Sequence, residues 1–472
     1  MESKFINRKN ELAWLEKCYR EAFKEGQLLV LYGKRRVGKT ELVTHFIKSK
    51  PNIYYLANRT TTAEHLSSAT KVFATGFEDT FMANTPLPSW RDFFDYLIKK
   101  VSERKSKEPI VLVFDEFPYL AESNEGISSF FQYGWDMGLK NNSVVMIVMG
   151  SSMAMMYKHA LIKSAPLYGR RTGQWLLEPF TFTETKNFYP KASFDNAFSL
   201  YALTGGIPAY SKVFDGARSL KENITERVFP EGSFLSVEPE FLLSDEFDDS
   251  KSYLTILQAI GQGRTKFSQI LQDSGMQATS LPAYLQNLRD LRLVKREVPI
   301  TDITLPKSKS GIYSLSDNFL SFYFSFVFPN NSLVKSKAYN VIFKTKGEVL
   351  TGLIAKSYEN TTPEFIAPAI NKGILPNFEL MGRWWDKDTE IDLVGLNRED
   401  NAILFGETKW NSKPIGTEVL NQLKAKSKKV VWGKPGRKEF FVLTSKAGFT
   451  KILIDEAREQ GVVLIEKDSL LI

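Results

Sequence analysis

The sequence predicts an α/β fold: a mostly parallel sheet covered by helices on both faces, then a helical region, then a second α/β unit. Three observations predict it. Over the first 185 residues short apolar runs alternate with amphipathic stretches, the pattern of strand and crossover helix. The runs VLVF and VVMIV are almost continuously apolar, as strands buried on both faces are. A chain of 472 residues also exceeds the roughly 250–300 at which one core stops growing, so several domains are expected.

Taken in order, a helix is expected over 8–24 and strands over 27–33, 52–57, 109–117, 143–152 and 174–180, with helices over 40–49, 89–103 and 120–139 between them. From 186 to 235 the pattern is helical, interrupted by Gly205-Gly206-Ile207-Pro208, and reads as a small lid. Charge then changes sign: residues 231–250 hold seven acidic and no basic side chains, whereas 251–300 hold seven Lys or Arg against three acids. A boundary at 245–250 follows. SYLTILQAIGQG, KFSQILQDSG and SLPAYLQNLRDLRLV give three helices, and with the extended KREVPI they resemble a winged helix. The turn PKSKSG and the aromatic run NFLSFYFSFVFPNN come next. Nothing basic interleaves that run, so it is read as a packing segment or linker. A helix over 346–359 and strands over 390–396, 402–410 and 439–445 complete the chain. The expected domains are therefore 1–185, 186–245, 246–305, 306–345 and 346–472.

Composition excludes several classes. With 43% hydrophobic and 25% charged residues the chain is neither disordered nor fibrous. No apolar run approaches the ~18 residues of a membrane span, and the charged opening segment MESKFINRKNELAWLEK has no signal-peptide core, so a cytoplasmic protein without a membrane partner is expected. One cysteine, Cys18, forms no internal disulfide, and His45, His65 and His159 share no metal-ligand spacing. The chemistry must come from carboxylates, lysines, arginines and hydroxyls. A net charge of +8 permits an anionic partner.

LYGKRRVGKTEL contains Gly33-Lys34-Arg35-Arg36-Val37-Gly38-Lys39-Thr40, a full GxxxxGK[ST] sequence after a buried strand, with Glu41 opening the helix that follows. Such a turn lets backbone amides close on phosphates at a helix N-terminus. Lys39 is expected on the β- and γ-phosphates of ATP and the Thr40 hydroxyl on Mg²⁺. IVLVFDEF supplies the partner: Asp115 at a strand end to support Mg²⁺, and Glu116 to orient and deprotonate water. Ser151 and Ser152 follow another strand, where one could position the water or cap the helix of MAMMYKHAL. Arg170 and Arg171, in PLYGRRTGQW, are candidates for an arginine finger, acting in cis or on a neighbouring copy of the chain.

FINRKNELAWLEKCY, LYGKRRVGKTEL, VLVFDEF, VMGSSM, LYGRRTG and LTGGIPAY, in that order, resemble the AAA-related P-loop ATPases called archaeal-type ATPases, over roughly the first 300 residues. The resemblance implies a five-stranded parallel P-loop core, a helical lid and a winged helix folding back towards the nucleotide. It also implies that Phe5 and Arg8 lie near the adenine, with Asn7 where glycine is more usual.

In the winged-helix segment, Arg289, Arg292, Lys295 and Arg296 are placed to meet DNA phosphates, while Leu281, Leu285, Leu288, Leu291 and Leu293 argue for a structural role between domains. Both readings stand at this stage.

GRWWDKDTEIDLVGLNREDNAILFGETKW places Asp392 on one strand and, fifteen positions later, Glu407-Thr408-Lys409 on the next. Two carboxylates with a lysine two residues on is how restriction-endonuclease-like sites hold Mg²⁺. Strand alternation puts Glu407 and Lys409 on one face. The segment, after SGIYSLSDNFLSFYFSFV, resembles the nuclease-like domain that many archaeal-type ATPases carry. That resemblance implies a helix glutamate, with Glu348 and Glu359 as candidates although Thr351 stands where the acid is expected, and Gln422 is a further candidate. The expected function is Mg²⁺-dependent ATP hydrolysis that moves the lid and winged helix, acting on DNA. A slow nucleotide-dependent switch that recruits a protein, and a nuclease gated by ATP, are the rivals.

Overall fold

The computed structural model describes residues 5–247, 249–303 and 310–472, and it divides into two compact units. The turn expected from Pro306 lies outside the described residues as far as 309.

The first unit comprises residues up to 179 together with Ile207–Ala209. Its sheet holds β1 (Gln27–Tyr32), β2 (Asn52–Leu56), β3 (Ile110–Asp115), β4 (Val144–Gly150) and β5 (Gly173–Leu176) in the order β2-β3-β4-β1-β5. Every pairing is parallel. β1, β3 and β4 are buried at every position, which explains their unbroken apolar sequences. Helices Lys9–Glu21 and Lys39–Ile47 cover one face, packing Leu15, Leu42, Val43 and Phe46 against Leu29, Leu31, Val113 and Ile147.

Boundaries differ from expectation where local turns intervene. β5 stops at Leu176 rather than 180, just before the Leu177 amide donates to the Tyr32 carbonyl at 2.7 Å. The single helix expected over 120–139 is two, Phe117–Ser123 and Ile127–Met137. The break is chemical, since the Asn124 side chain accepts from the Gly126 amide at 3.0 Å and diverts the backbone into a turn.

The second unit comprises Phe180–Gly206 and Tyr210–Ile472. Three helices, Ser250–Gly261, Phe267–Ser274 and Leu281–Asp290, precede a two-stranded antiparallel hairpin of β6 (Val294–Glu297) and β7 (Ile312–Leu315). Leu281, Leu285, Leu288, Leu291 and Leu293 are all buried. The aromatic run is packing material too: Phe319, Phe322, Phe324 and Phe326 are fully buried.

A six-stranded mixed sheet follows, in the order β13-β12-β11-β10-β9-β8. Its strands are β8 (Leu380–Trp385), β9 (Glu390–Asn397), β10 (Ala402–Lys409), β11 (Lys438–Ser445), β12 (Val463–Glu466) and β13 (Ser469–Leu470). β10 pairs antiparallel with β9 and parallel with β11. The helix expected over 346–359 runs Tyr339–Asn371, through Pro363 and Pro368. Proline removes a helical hydrogen bond, yet burial of Phe365, Ile366 and Ala369 beyond it carries the helix on. Phe198 and Tyr358 meet edge-on at 5.1 Å, and Trp410, next after the last residue of β10, lies 5.1 Å from Tyr358.

Candidate functional site

The first site forms where β1 ends. Gly38 sits at φ 96°, and a Cβ at Gly33 would lie 2.3 Å from the Leu177 carbonyl oxygen. Only glycine satisfies both constraints at little cost, and the result is a tight loop that runs into the N-terminus of helix Lys39–Ile47. Lys34, Arg35 and Arg36 are half-buried along the loop, Val37 is buried beneath it, and Glu41 is an acid in the helix's first turn. The buried Lys39 ammonium donates to the Gly33 carbonyl at 2.9 Å and to the Lys34 carbonyl at 3.1 Å. The loop is thus closed on its own lysine.

Asp115, 1% exposed at the end of β3, is the hub beneath it. Its Oδ2 accepts the Thr40 hydroxyl at 2.8 Å and also the Tyr54 hydroxyl from β2, while Oδ1 accepts the Glu116 amide at 2.8 Å. Burial, then the bond to Asp115, hold the Tyr54 phenol protonated well above its ordinary value. Tyr54 belongs to no motif. Its cue was the alternation of NIYYL, which sends Tyr54 and Leu56 to the same side of β2 as each other.

Glu116 occupies the left-handed region at φ 52°, ψ 45°, which a non-glycine residue adopts at a cost of order 1 kcal/mol. That turn aims its carboxylate at the end of β4. There the Ser151 amide donates to it at 3.1 Å and the Ser151 hydroxyl lies 2.9 Å from both oxygens. The two serines take different partners. Ser151 faces the acid, and Ser152 accepts from the Met155 amide at 3.4 Å as a helix N-cap.

The remaining expected residues take other partners. Arg170 donates to Asp136 at 2.9 Å, and Arg171 donates to the Ala160 carbonyl at 2.6 Å. The buried Arg8 donates to Glu11 at 3.0 Å, to the Glu178 carbonyl at 2.8 Å and to the Val37 carbonyl at 2.9 Å, so it fastens the opening segment to the loop. Phe5 stacks on the His45 ring at 4.0 Å.

The second site lies on the mixed sheet. Leu393 and Gly406 are paired across β9 and β10, which sets Asp392 beside Glu407. The Thr408 amide donates to Asp392 Oδ2 at 2.9 Å. Glu407, with a side chain 8% exposed, accepts Lys409 at 2.7 Å on Oε1 and Lys426 at 3.1 and 3.0 Å on Oε1 and Oε2. Burial, then the charges of Glu359 and Glu407, lift the Asp392 carboxyl from 3.8 to about 7. Lys409 is raised despite its burial, because Glu407 binds and attracts it. Of the two helix acids, Glu359 is half-buried and acts on Asp392, whereas Glu348 is exposed. Lys426, missed in the sequence, stands one helical turn after Gln422 on the same face of helix Thr417–Ser427.

Among the described residues no group of three or more acidic, histidine or cysteine side chains is placed to hold a metal ion. The pair Asp392 and Glu407 still fits Mg²⁺, which commonly takes one or two carboxylates and completes its shell with water and substrate phosphate. Burial first, and then the neighbouring Glu359 and Glu407 carboxylates, disfavour the charged form of Asp392, and a cation bound there would relieve both.

In the three-helix segment, Arg289 and Arg292 are exposed, and Lys295 pairs with Glu297 at 2.9 Å. No helix among the described residues is long and apolar enough to cross a membrane.

Comparison with known proteins places these sites in context. Residues 5–212 match a family described as an ATPase domain predominantly from Archaea, and residues 323–428 match one described as archaeal and bacterial proteins of unknown function. An uncharacterized protein of Methanocaldococcus jannaschii is 34% identical over 410 residues, covering 86% of this chain and 87% of the relative. An uncharacterized ATP-binding protein of the same organism is 48% identical over 46 residues, 10% of this chain and 75% of its own. The solved structure of a Walker-type ATPase of Pyrococcus abyssi superposes with a TM-score of 0.51 at 21% identity, covering 68% of this chain and 96% of that one.

Proposed function

As a member of the family built on the ATPase domain found predominantly in Archaea, to which this chain belongs, we propose that the protein binds ATP with Mg²⁺ at the β1 loop and hydrolyses it. The observation that carries the reading is the closed loop: Lys39 rests on two carbonyls and Thr40 on Asp115, a set of groups waiting for a polyanion and a cation. Lys39 exchanges its carbonyl partners for the β- and γ-phosphates, with the loop amides of Gly33 to Thr40 around them. Thr40 and Asp115 hold Mg²⁺, which when bound neutralises phosphate charge. Glu116 orients the attacking water and takes its proton after leaving Ser151. Arg170 or Arg171 senses the γ-phosphate, and Phe5 and Arg8 border the adenine. Turnover moves the helical segments 186–245 and 246–305.

Calorimetry and steady-state hydrolysis test this. Lys39→Ala should lose nucleotide binding, and Glu116→Gln should bind ATP yet stop turnover. Full hydrolysis by the Gln variant would reject Glu116 as the base.

We further propose that Asp392, Glu407 and Lys409, with Glu359 nearby, form a nuclease-like Mg²⁺ site acting on DNA. Support comes from the register of β9 and β10 and from the raised Asp392. Plasmid incubated with Mg²⁺ should be cut by the wild type and spared by Asp392→Ala; equal cutting discards the site. A slow switch that recruits a protein is favoured by one observation, the three contacts from Ser151 that hold Glu116. DNA-stimulated turnover argues for the first reading, and indifference to DNA for the switch.

A further inference from the structure

We propose that Lys426 is the phosphate-binding residue of the carboxylate site on β9 and β10, stored on Glu407 until a divalent cation displaces it. This rests on the reading that Asp392 and Glu407 hold such a cation.

The Lys426 ammonium lies 3.1 Å from Oε1 and 3.0 Å from Oε2 of Glu407, straddling both oxygens as a bidentately bound cation does. Lys409 takes Oε1 from the strand at 2.7 Å. Two ammonium groups therefore cover a carboxylate that has little access to water. A divalent cation bound by Glu407 must push at least one of them aside. Both lysines have flexible four-carbon stems, but Lys409 takes Oε1 alone, whereas Lys426, from the last turn of a helix, spans both oxygens that a divalent cation would take. Lys426 is therefore the group that a cation displaces.

Charge balance says where it goes. The side chains of Asp392, Glu407 and Glu359 are matched by those of Lys409, Lys426 and Lys356, whose ammonium lies 2.6 Å from Glu359. With Asp392 ionised, as a metal ligand has to be, three acids against three bases leave no surplus. Adding a doubly charged cation makes the cluster positive and releases an ammonium that has lost its carboxylate. A phosphodiester phosphate satisfies both the surplus and the released donor. The same lysine thus opposes the metal when the site is empty and assists the substrate when it is full.

The test separates these effects in the full-length chain without nucleotide. Mn²⁺ binding is measured by calorimetry, and the site in question is the component lost in Asp392→Ala. Lys426→Gln should bind Mn²⁺ there about tenfold more tightly than wild type, the loss of one charge-assisted competitor. Lys426→Arg, which keeps the charge and controls for folding, should stay close to wild type. In Ca²⁺, fluorescence anisotropy with a labelled DNA duplex should show Lys426→Gln binding about tenfold more weakly, and in EDTA the two proteins should bind alike. Mn²⁺ affinity unchanged or reduced in Lys426→Gln, or a DNA defect of equal size in EDTA, overturns the proposal. If wild type and Lys426→Gln both match Asp392→Ala in Mn²⁺ binding, the cation-site reading itself fails, which is a different result.

Discussion

The Ser151 hydroxyl lies 2.9 Å from both carboxylate oxygens of Glu116, and its amide donates to one of them at 3.1 Å. An acid so held has to be released before it can work on a water molecule. Ser151→Ala removes the hydroxyl contacts and leaves the amide. A net hydrogen bond of about 1 kcal/mol corresponds to roughly a fivefold change in rate. The variant should bind ATP like wild type and turn over about fivefold faster; a fall in kcat at unchanged ATP affinity would show that the serine serves turnover directly.

Tyr54 and Thr40 share one oxygen of Asp115. Tyr54→Phe deletes a hydrogen bond to a buried charged group and should cost about 1.5–3 kcal/mol, lowering Tm by several degrees in the free protein. Saturating Mg²⁺ and ATP should shrink the deficit, because the cation then supplies Asp115 with a partner. A deficit that stays constant on adding both ligands would place the metal elsewhere.

Asp392 imposes a pH dependence on stability. Its carboxyl titrates near 7 in the fold and at 3.8 ordinarily, so between those values the folded chain binds the extra proton. Stability contributed by the protonated form is present at low pH and lost as pH rises towards 7, on the order of 4 kcal/mol in all. Asp392→Asn should therefore raise Tm at pH 8 and leave it unchanged at pH 4. A variant less stable than wild type at pH 8 would mean that the charged aspartate is a net contributor to the fold.

The helix Leu281–Asp290 and the turn after it, which carries Arg292, separate packing from contact. Leu285, 2% exposed, should cost about 2–5 kcal/mol on Leu285→Ala. Arg289→Ala and Arg292→Ala, both at exposed positions, should leave Tm within a degree or so while weakening DNA binding and reducing its salt slope by about 1 each. Unaltered DNA affinity in the double variant would assign this segment a structural role.

What was legible in the sequence was local. The loop from Gly33 to Thr40 and the pair Asp115-Glu116 announce themselves because a phosphate cradle needs glycine, lysine and a hydroxyl at fixed spacing beside a buried strand. The five-stranded sheet follows from runs such as VVMIV that have no polar face. Contacts made across long separations left no such trace. Tyr54 reaches Asp115 over 61 positions and Lys426 reaches Glu407 over 19, and neither lies in a motif. Gln422 identified the right helix face one turn early, since i and i+4 positions look alike before the sheet is placed. The prolines at 363 and 368 hid the end of helix Tyr339–Asn371, because tertiary burial overrode a local preference.

Arg8 bears on how this chain can be dissected. By donating to the carbonyls of Val37 and Glu178, it makes the residue before the first helix a brace for the loop. A truncation starting at the helix Lys9–Glu21 would keep the loop Gly33 to Thr40 and the pair Asp115-Glu116 yet remove the Arg8 guanidinium that donates to two backbone carbonyls. Fragment libraries and transplanted loops that begin at β1 would inherit the loop without the guanidinium that ties Val37 to Glu178.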